Sequence, residues 1–245
     1  MKIIKKIKVD ISVYIVILLF LFSGLKDLVF NLLIILFVHE LGHIFFCLIF
    51  KVNIQSIKLY PFGGLIKLDK KINDYWYIDF FISMGGIIFQ IIFGLINAFL
   101  FKYELINKFN LVFLKMNLLP IIPLDGNKIL FMILCSYFSY FYSIIIDSVL
   151  SFVVILILIS IHFSNVALLI FSFACLLSDL KNIMLSMHRF FLERYFGNFV
   201  FKKIKYYKHN CIYLMQKNIF GYYYENRYIS EQEMLSKKFD ISSYF

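Results

Sequence analysis

The side chains best suited to chemistry sit where idle charge is most costly. From Leu28 to Phe50 the chain is apolar except for Asn31 and a short cluster that reads Leu36-Phe-Val-His39-Glu40-Leu-Gly-His43-Ile-Phe-Phe. On a helix, residues four apart project from one face about 6 Å from each other, so both imidazoles reach a single ion. Glu40, next to the first histidine, is placed to take a proton from a water held there. This is the His-Glu-x-x-His logic of two zinc ligands and a general base. A lone histidine in an apolar run is more often a hydrogen-bonded core residue. Three ionisable groups near the middle of a lipid span cost several kcal/mol unless paired, and they mark function by default.

Catalytic zinc takes three protein ligands and keeps a position open. The third comes from another place in the chain. Asn117-Leu-Leu-Pro120-Ile-Ile-Pro123-Leu-Asp125-Gly126 interrupts a long apolar run with two prolines and a glycine. Irregular backbone at membrane depth is tolerated where it is buried in protein or lines a wet cavity. Asp125 lies in that break and is the candidate. Asp79, Asp147 and Asp179 are expected at span ends, where a charge costs little. His162 is expected at a turn, and His188 and His209 lie in the tail.

These residues need spans to hold them. Of 245 residues, 62% are hydrophobic and 16% charged, against about 45–50% and about 25% in soluble domains. A soluble globule, a disordered chain and a small disulfide scaffold are all excluded. A span needs about 20 apolar residues. The expected runs are 7–25, 28–50 and 76–101, a discontinuous fourth from 109 to about 140, then 143–161 and 166–180. The basic start and first apolar run have a signal-peptide flavour without a cleavage site, so a retained first span is expected. The reading is an all-α polytopic membrane protein with about six helices. Residues 1–180 form the membrane domain and 181–245 a small basic tail. In that tail, Ile183 to Phe196 is expected to lie on the membrane surface with Phe190 and Phe191 down and Arg189 and Arg194 out.

Lys plus Arg number 25 against 15 acidic residues. The excess gathers at the N-terminus, at 51–71 and in the tail. The positive-inside rule explains this by placing those three segments and both termini in the cytoplasm, and no nucleic-acid partner is needed. Cys47, Cys135, Cys175 and Cys211 form no CxxC pair, and three of them lie in apolar runs. They read as small apolar fillers.

His39-Glu40-Leu-Gly-His43 followed by Asn117-Leu-Leu-Pro-Ile-Ile-Pro-Leu-Asp125-Gly126 resembles the site-two protease family of intramembrane zinc metalloproteases, and its sporulation branch above all. The resemblance covers about residues 28–140. Pro61-Phe62-Gly63-Gly64 is similar to the family's membrane-dipping β-hairpin loop, and Ser83 to Gln90 to its Ala-Gly-Pro-x-x-polar segment. By position, it implies one zinc ion held by His39, His43 and Asp125, with Glu40 as catalytic acid/base. It also implies a substrate role for Asn117, Pro120, Gly63 and Gly64. Two positions depart from the pattern: Ile87 stands for a proline and Asn127 for a second glycine. The branch's nucleotide-sensing cystathionine-β-synthase-type domain needs about twice the residues of this tail, although Ile229 to Leu235 is similar to its closing stretch. No insert of PDZ size separates the motif spans.

The activity implied is hydrolysis of a protein with a membrane-associated segment, such as a sigma-factor precursor, on the mother-cell side of the membrane around a forespore. Inhibitory membrane-protein partners are implied with it. The alternatives are a site-two protease acting on anti-sigma factors or signal-peptide remnants, and a metal carrier or permease using the same histidines. Transport predicts further polar groups along spans five and six, which are nearly featureless in sequence.

Overall fold

The structure, a computed structural model, describes residues 7–22, 24, 26–60, 63–161, 185–197, 199, 201, 203–209 and 211–239. Two compact units share the chain. The first comprises residues 1–70, 80–119 and 124–126, and the second 71–79, 120–123 and 127–245.

In the first unit, β1 (Ile7–Val9) precedes α1 (Ile11–Phe22) and α2 (Lys26–Ile49). The first span is therefore corrected. Asp10 ends a strand, and the helix after it has 12 residues, about 18 Å of rise against a hydrocarbon core of about 30 Å. Helix α2 stops where Lys51 turns left-handed at φ 54° and Val52 N donates to Cys47 O at 2.9 Å. Strands β2 (Ile54–Tyr60) and β3 (Gly63–Leu68) follow as an antiparallel hairpin, and β1 adds in parallel to β2 with Ile7 opposite Ile57. Pro61 and Phe62, at the hairpin's tip, lie outside the described residues.

Helix α3 (Trp76–Ile96) passes from the second unit into the first and ends in a π turn, Asn97–Phe101. Lys102 N reaches Asn97 O at 2.6 Å, the i→i+5 bond that defines such a turn. The buried Asn97 amide donates to Tyr103 O and Asn107 Oδ1, both at 2.9 Å. The run expected as a discontinuous fourth span forms two helices, α4 (Glu104–Asn117) and α5 (Asp125–Tyr137), neither of them of membrane length. Helix α4 begins at Glu104, before the expected start at 109, and Glu104 and Lys108 form an exposed i,i+4 pair on it. Pro120 and Pro123 remove amide donors and disfavour helical geometry in the residues before them.

Of the six expected spans, three are helices long and apolar enough to cross a membrane: Val29–Ile49, Trp76–Phe101 and Tyr140–Ile161. The last is α6. The sixth, 166–180, lies outside the described residues, as do His162, Cys175 and Asp179. Asp147 is corrected from a span end to a buried position inside α6, where it accepts from Asn127 Nδ2 at 2.9 Å. Asp79 sits at the start of α3 as expected, paired with Lys217 at 3.0 Å.

The tail is a folded part of the second unit. A helix described over 185–196 (α7) packs with the sheet β4 (Lys203–Tyr207), β5 (Ile219–Glu225) and β6 (Arg227–Ser230) and with α8 (Glu231–Phe239). Phe190 and Phe191 are buried in this core, and Phe190 stacks on Tyr140 at 4.1 Å. The surface-helix expectation is corrected on that ground. Arg189 is exposed, but Arg194 is buried. Its guanidinium donates to Glu231 Oε2 at 2.6 Å, to Asn73 Oδ1 at 2.8 Å and to the Ile219 and Gln216 carbonyls. Burial pushes the Glu231 carboxyl up and the Arg194 guanidinium down, and their mutual charge opposes both shifts. The all-α expectation is thus corrected to a mostly helical protein with, among the described residues, two three-stranded sheets.

Candidate metal centre

Helix α2 presents His39, Glu40 and His43 to the interior of the first unit; all three are at most 7% exposed in a helix whose neighbours Phe37, Leu41 and Phe45 are exposed. The approach of α3 is set by glycine. A Cβ on Gly42 would strike the Gly85 carbonyl, and one on Gly85 would strike the Gly42 carbonyl and come within 2.8 Å of Phe46. The two backbones therefore touch, as small-residue crossings in membranes allow. Gly86, one residue on, leaves room for the His39 ring: a Cβ there would lie 2.7 Å from each ring nitrogen.

This close crossing lets α3 orient both imidazoles. His43 Nδ1 lies 2.7 Å from Ile82 O, and His39 Nδ1 lies 3.0 Å from Gln90 Oε1. A carbonyl oxygen only accepts, so each Nδ1 carries a hydrogen and each ring turns its Nε2 inward. Gln90 is fixed in turn by Asn110 of α4, whose Nδ2 donates to Gln90 O at 3.0 Å. Phe113 closes on His39 edge to face at 5.7 Å between centroids.

Asp125, the first residue of α5, brings the third donor. Gly126 makes this possible, because a Cβ there would meet the Leu118 and Leu119 carbonyls as the chain folds back. Asp125 Oδ2 lies 2.9 Å from His39 Nε2 and 3.1 Å from His43 Nε2, and the two Nε2 atoms are 3.0 Å apart. The three donors fall within 4.8 Å of one another, and all three residues are buried. With neutral rings, two Nε2 lone pairs and a carboxylate oxygen at these distances would repel. A cation at their centre turns that repulsion into binding. A tetrahedral zinc site has donor–donor edges of about 3.3 Å, so the triangle fits zinc with adjustments of a few tenths of an ångström.

Glu40 faces the hairpin. Its Oε1 accepts the Gly64 N–H at 2.7 Å, while the buried Oε2 has no hydrogen-bond partner among the described residues. Asn117 is buried at the last residue of α4, and Pro120 lies in the break before α5. Gly63 pairs with Tyr60 in the hairpin register. Asn117 and Gly63 make no hydrogen bond to His39, Glu40, His43 or Asp125 among the described residues. In sequence Gln90 stands only as the polar end of the Ser83–Gln90 segment, and its bond to His39 is new; a glutamine in an apolar span is the signal that could have marked it.

A donor triangle able to hold a cation, beside a buried carboxylate and with two of its donors on a helix of membrane length, invites comparison with known proteins. Residues 28–107, which carry His39, Glu40, His43, Gly64 and Gln90, match Peptidase family M50. Over that stretch the chain is similar to the family. Stage IV sporulation protein FB of Bacillus subtilis (strain 168) is 29% identical over 207 residues, covering 78% of this chain and 72% of that protein. The site-2 protease from Methanocaldococcus jannaschii matches with a TM-score of 0.56 at 23% identity, over 72% of this chain and 90% of that one. The structural likeness carries the fold of the M50 domain. Asp125 lies beyond the matched stretch, so its place at the centre rests on the donor triangle itself.

Proposed function

We propose that the protein is a zinc metalloendopeptidase that cuts a membrane-associated protein by regulated intramembrane proteolysis. The observation that carries this reading is the triangle of His39 Nε2, His43 Nε2 and Asp125 Oδ2 with the unpartnered Glu40 Oε2 one residue from its edge. In this reading His39, His43 and Asp125 hold one zinc ion, and Glu40 is the acid/base. Zinc at that position supplies Lewis acidity, which acidifies a water and polarises a carbonyl. Glu40 Oε2 takes the proton of the attacking water and returns it to the leaving amine, while the Gly64 N–H holds Oε1 and fixes the carboxyl's direction.

A substrate helix hides its carbonyls and must first open. Beside Glu40, the hairpin supports acceptance of the opened segment as an added strand, with Gly63 and Gly64 nearest the acid/base and Asn117 and Pro120 shaping the approach. Residues 1–180 constitute the protease domain, with a cytoplasmic tail from 181 and both termini on the cytoplasmic side, in keeping with the Lys and Arg distribution. The likeness to a stage IV sporulation protein favours a sigma-factor precursor as substrate, at the mother-cell face of a forespore membrane, with inhibitory membrane-protein partners. Anti-sigma factors and signal-peptide remnants are the alternative substrates.

Co-expression of the full chain with each of these three membrane-tethered substrate types tests the reading. Cleavage of the precursor by the wild type and none by Glu40→Gln is expected. Cleavage that survives the substitution overturns the mechanism, and cleavage of only another type reassigns the substrate.

A further inference from the structure

Asp147 is a carboxylate inside a membrane-spanning helix, and the proposed catalysis makes no use of it. It lies on a buried polar stripe of α6, with Ser143 one turn before and Ser151 one turn after; all three are at most 4% exposed. A buried carboxylate in a span is costly, and it persists where a specific partner satisfies it. Two bonds from this stripe reach the chain on either side of Asp125. Asn127 Nδ2 donates to Asp147 Oδ1 at 2.9 Å, and the Ile122 N–H donates to Ser151 Oγ at 3.3 Å. Asn127 is itself buried, in the first turn of α5. The segment from Pro120 to Pro123 is irregular and has no helical bonds of its own to hold it. The peptide segments just before and just after Asp125 are thus both hydrogen-bonded to α6.

We propose that Asp147 and Ser151 are positioning residues for Asp125: through Asn127 and the Ile122 amide, they clamp the break that carries the third metal donor. The pairing also explains an asparagine, and no smaller residue, at 127. A side chain lacking a donor there leaves Asp147 without that bond and frees the first turn of α5. The inference rests on the metal-centre reading, and its test separates the two.

Full-length protein is purified in detergent, freed of metal and titrated with Co²⁺ in competition with a chelator, with visible absorption reporting the geometry of the bound ion. Wild type binding one Co²⁺ and His39→Ala binding none confirms the centre; a wild type that binds none overturns the centre itself. Given a competent centre, Asp147→Leu and Asn127→Asp should weaken Co²⁺ binding by about 10–100-fold, as loss of outer-shell support does, and alter the absorption. Asn127→Asp sets two carboxylates face to face. Combining it with Asp147→Asn restores a donor–acceptor pair with the roles exchanged, and binding should return to within a few-fold of wild type. Asp147→Leu that binds as tightly as wild type overturns the clamp. If Asp147→Leu does not fold, the exchange decides: a double variant no better than Asn127→Asp overturns the clamp, and recovery upholds it.

Discussion

The Gly64 backbone N–H donates to Glu40 Oε1 at 2.7 Å, and a Cβ on Gly64 would lie 2.6 Å from the same carboxyl group's carbon and its second oxygen. The hairpin and the acid/base on α2 therefore form one assembly, with space for a backbone and nothing larger. Gly64→Ala must displace the carboxyl. A shift of about 1 Å at a reacting group can cost on the order of 100-fold in rate. Cleavage should fall by about that factor while metal content, measured on the same purified protein, stays at the wild-type level. Full activity in Gly64→Ala would remove the hairpin from the site.

His39 is gripped from two sides of α3. Gly86→Ala pushes its ring, and Gln90→Leu removes the acceptor that fixes its tautomer. Both should lower metal affinity by about 10–100-fold. Gln90→Glu, which keeps an acceptor at that place, should lose less than Gln90→Leu. A chelator titration ranks the variants, and equal affinities for all three would contradict the orientation argument.

The crossing of α2 and α3 depends on backbone contact at Gly42 and Gly85. Gly42→Ala overpacks this point and should destabilise the protein by about 1–3 kcal/mol. A lowered thermal midpoint in detergent, accompanied by metal loss because α3 carries Ile82, Gly86 and Gln90, is the expected pair of results. An unchanged midpoint would show that the helices part without penalty.

Two tyrosines make the tail sensitive to alkali. Tyr207 and Tyr223 stack at 4.9 Å, and neither hydroxyl has a hydrogen-bond partner among the described residues. Burial pushes the Tyr207 phenol up to about 12 and the Tyr223 phenol further up. An unfolded tyrosine loses its proton near pH 10. Between about pH 10 and 12 the folded state therefore holds more protons than the unfolded state, and stability falls as pH rises. Thermal melts from pH 8 to 11 should show this decline. Tyr223→Phe should flatten it and raise stability at neutral pH by about 1 kcal/mol, because an unsatisfied buried hydroxyl is removed. An unaltered alkaline slope in Tyr223→Phe would contradict the assignment.

The donor triangle was legible in the sequence because lipid makes polar residues conspicuous: His39, His43 and Asp125 stand out in runs with little else to explain them. The break between α4 and α5 was legible through Pro120 and Pro123. The strand Ile7–Val9 was not, since its parallel pairing with Ile57–Leu59 is a long-range choice with no local signature, and an apolar tripeptide before a helix reads as more helix. Arg194 was misplaced for a related reason. Its spacing in α7 fits an outward face, and only the fold of the tail brings Glu231 and Asn73 to it. Asp147 was read as a terminal charge because Asn127, its partner, lies in another helix.

The central claim is that Glu40 moves the proton at a metal held by other residues. The most direct measurement is zinc content and precursor cleavage in the same preparations of full-length wild type and Glu40→Gln reconstituted in lipid. The account predicts one zinc per chain in both, with cleavage by the wild type alone. Cleavage by Glu40→Gln at the wild-type rate, or a cleaving wild type without metal, would contradict it.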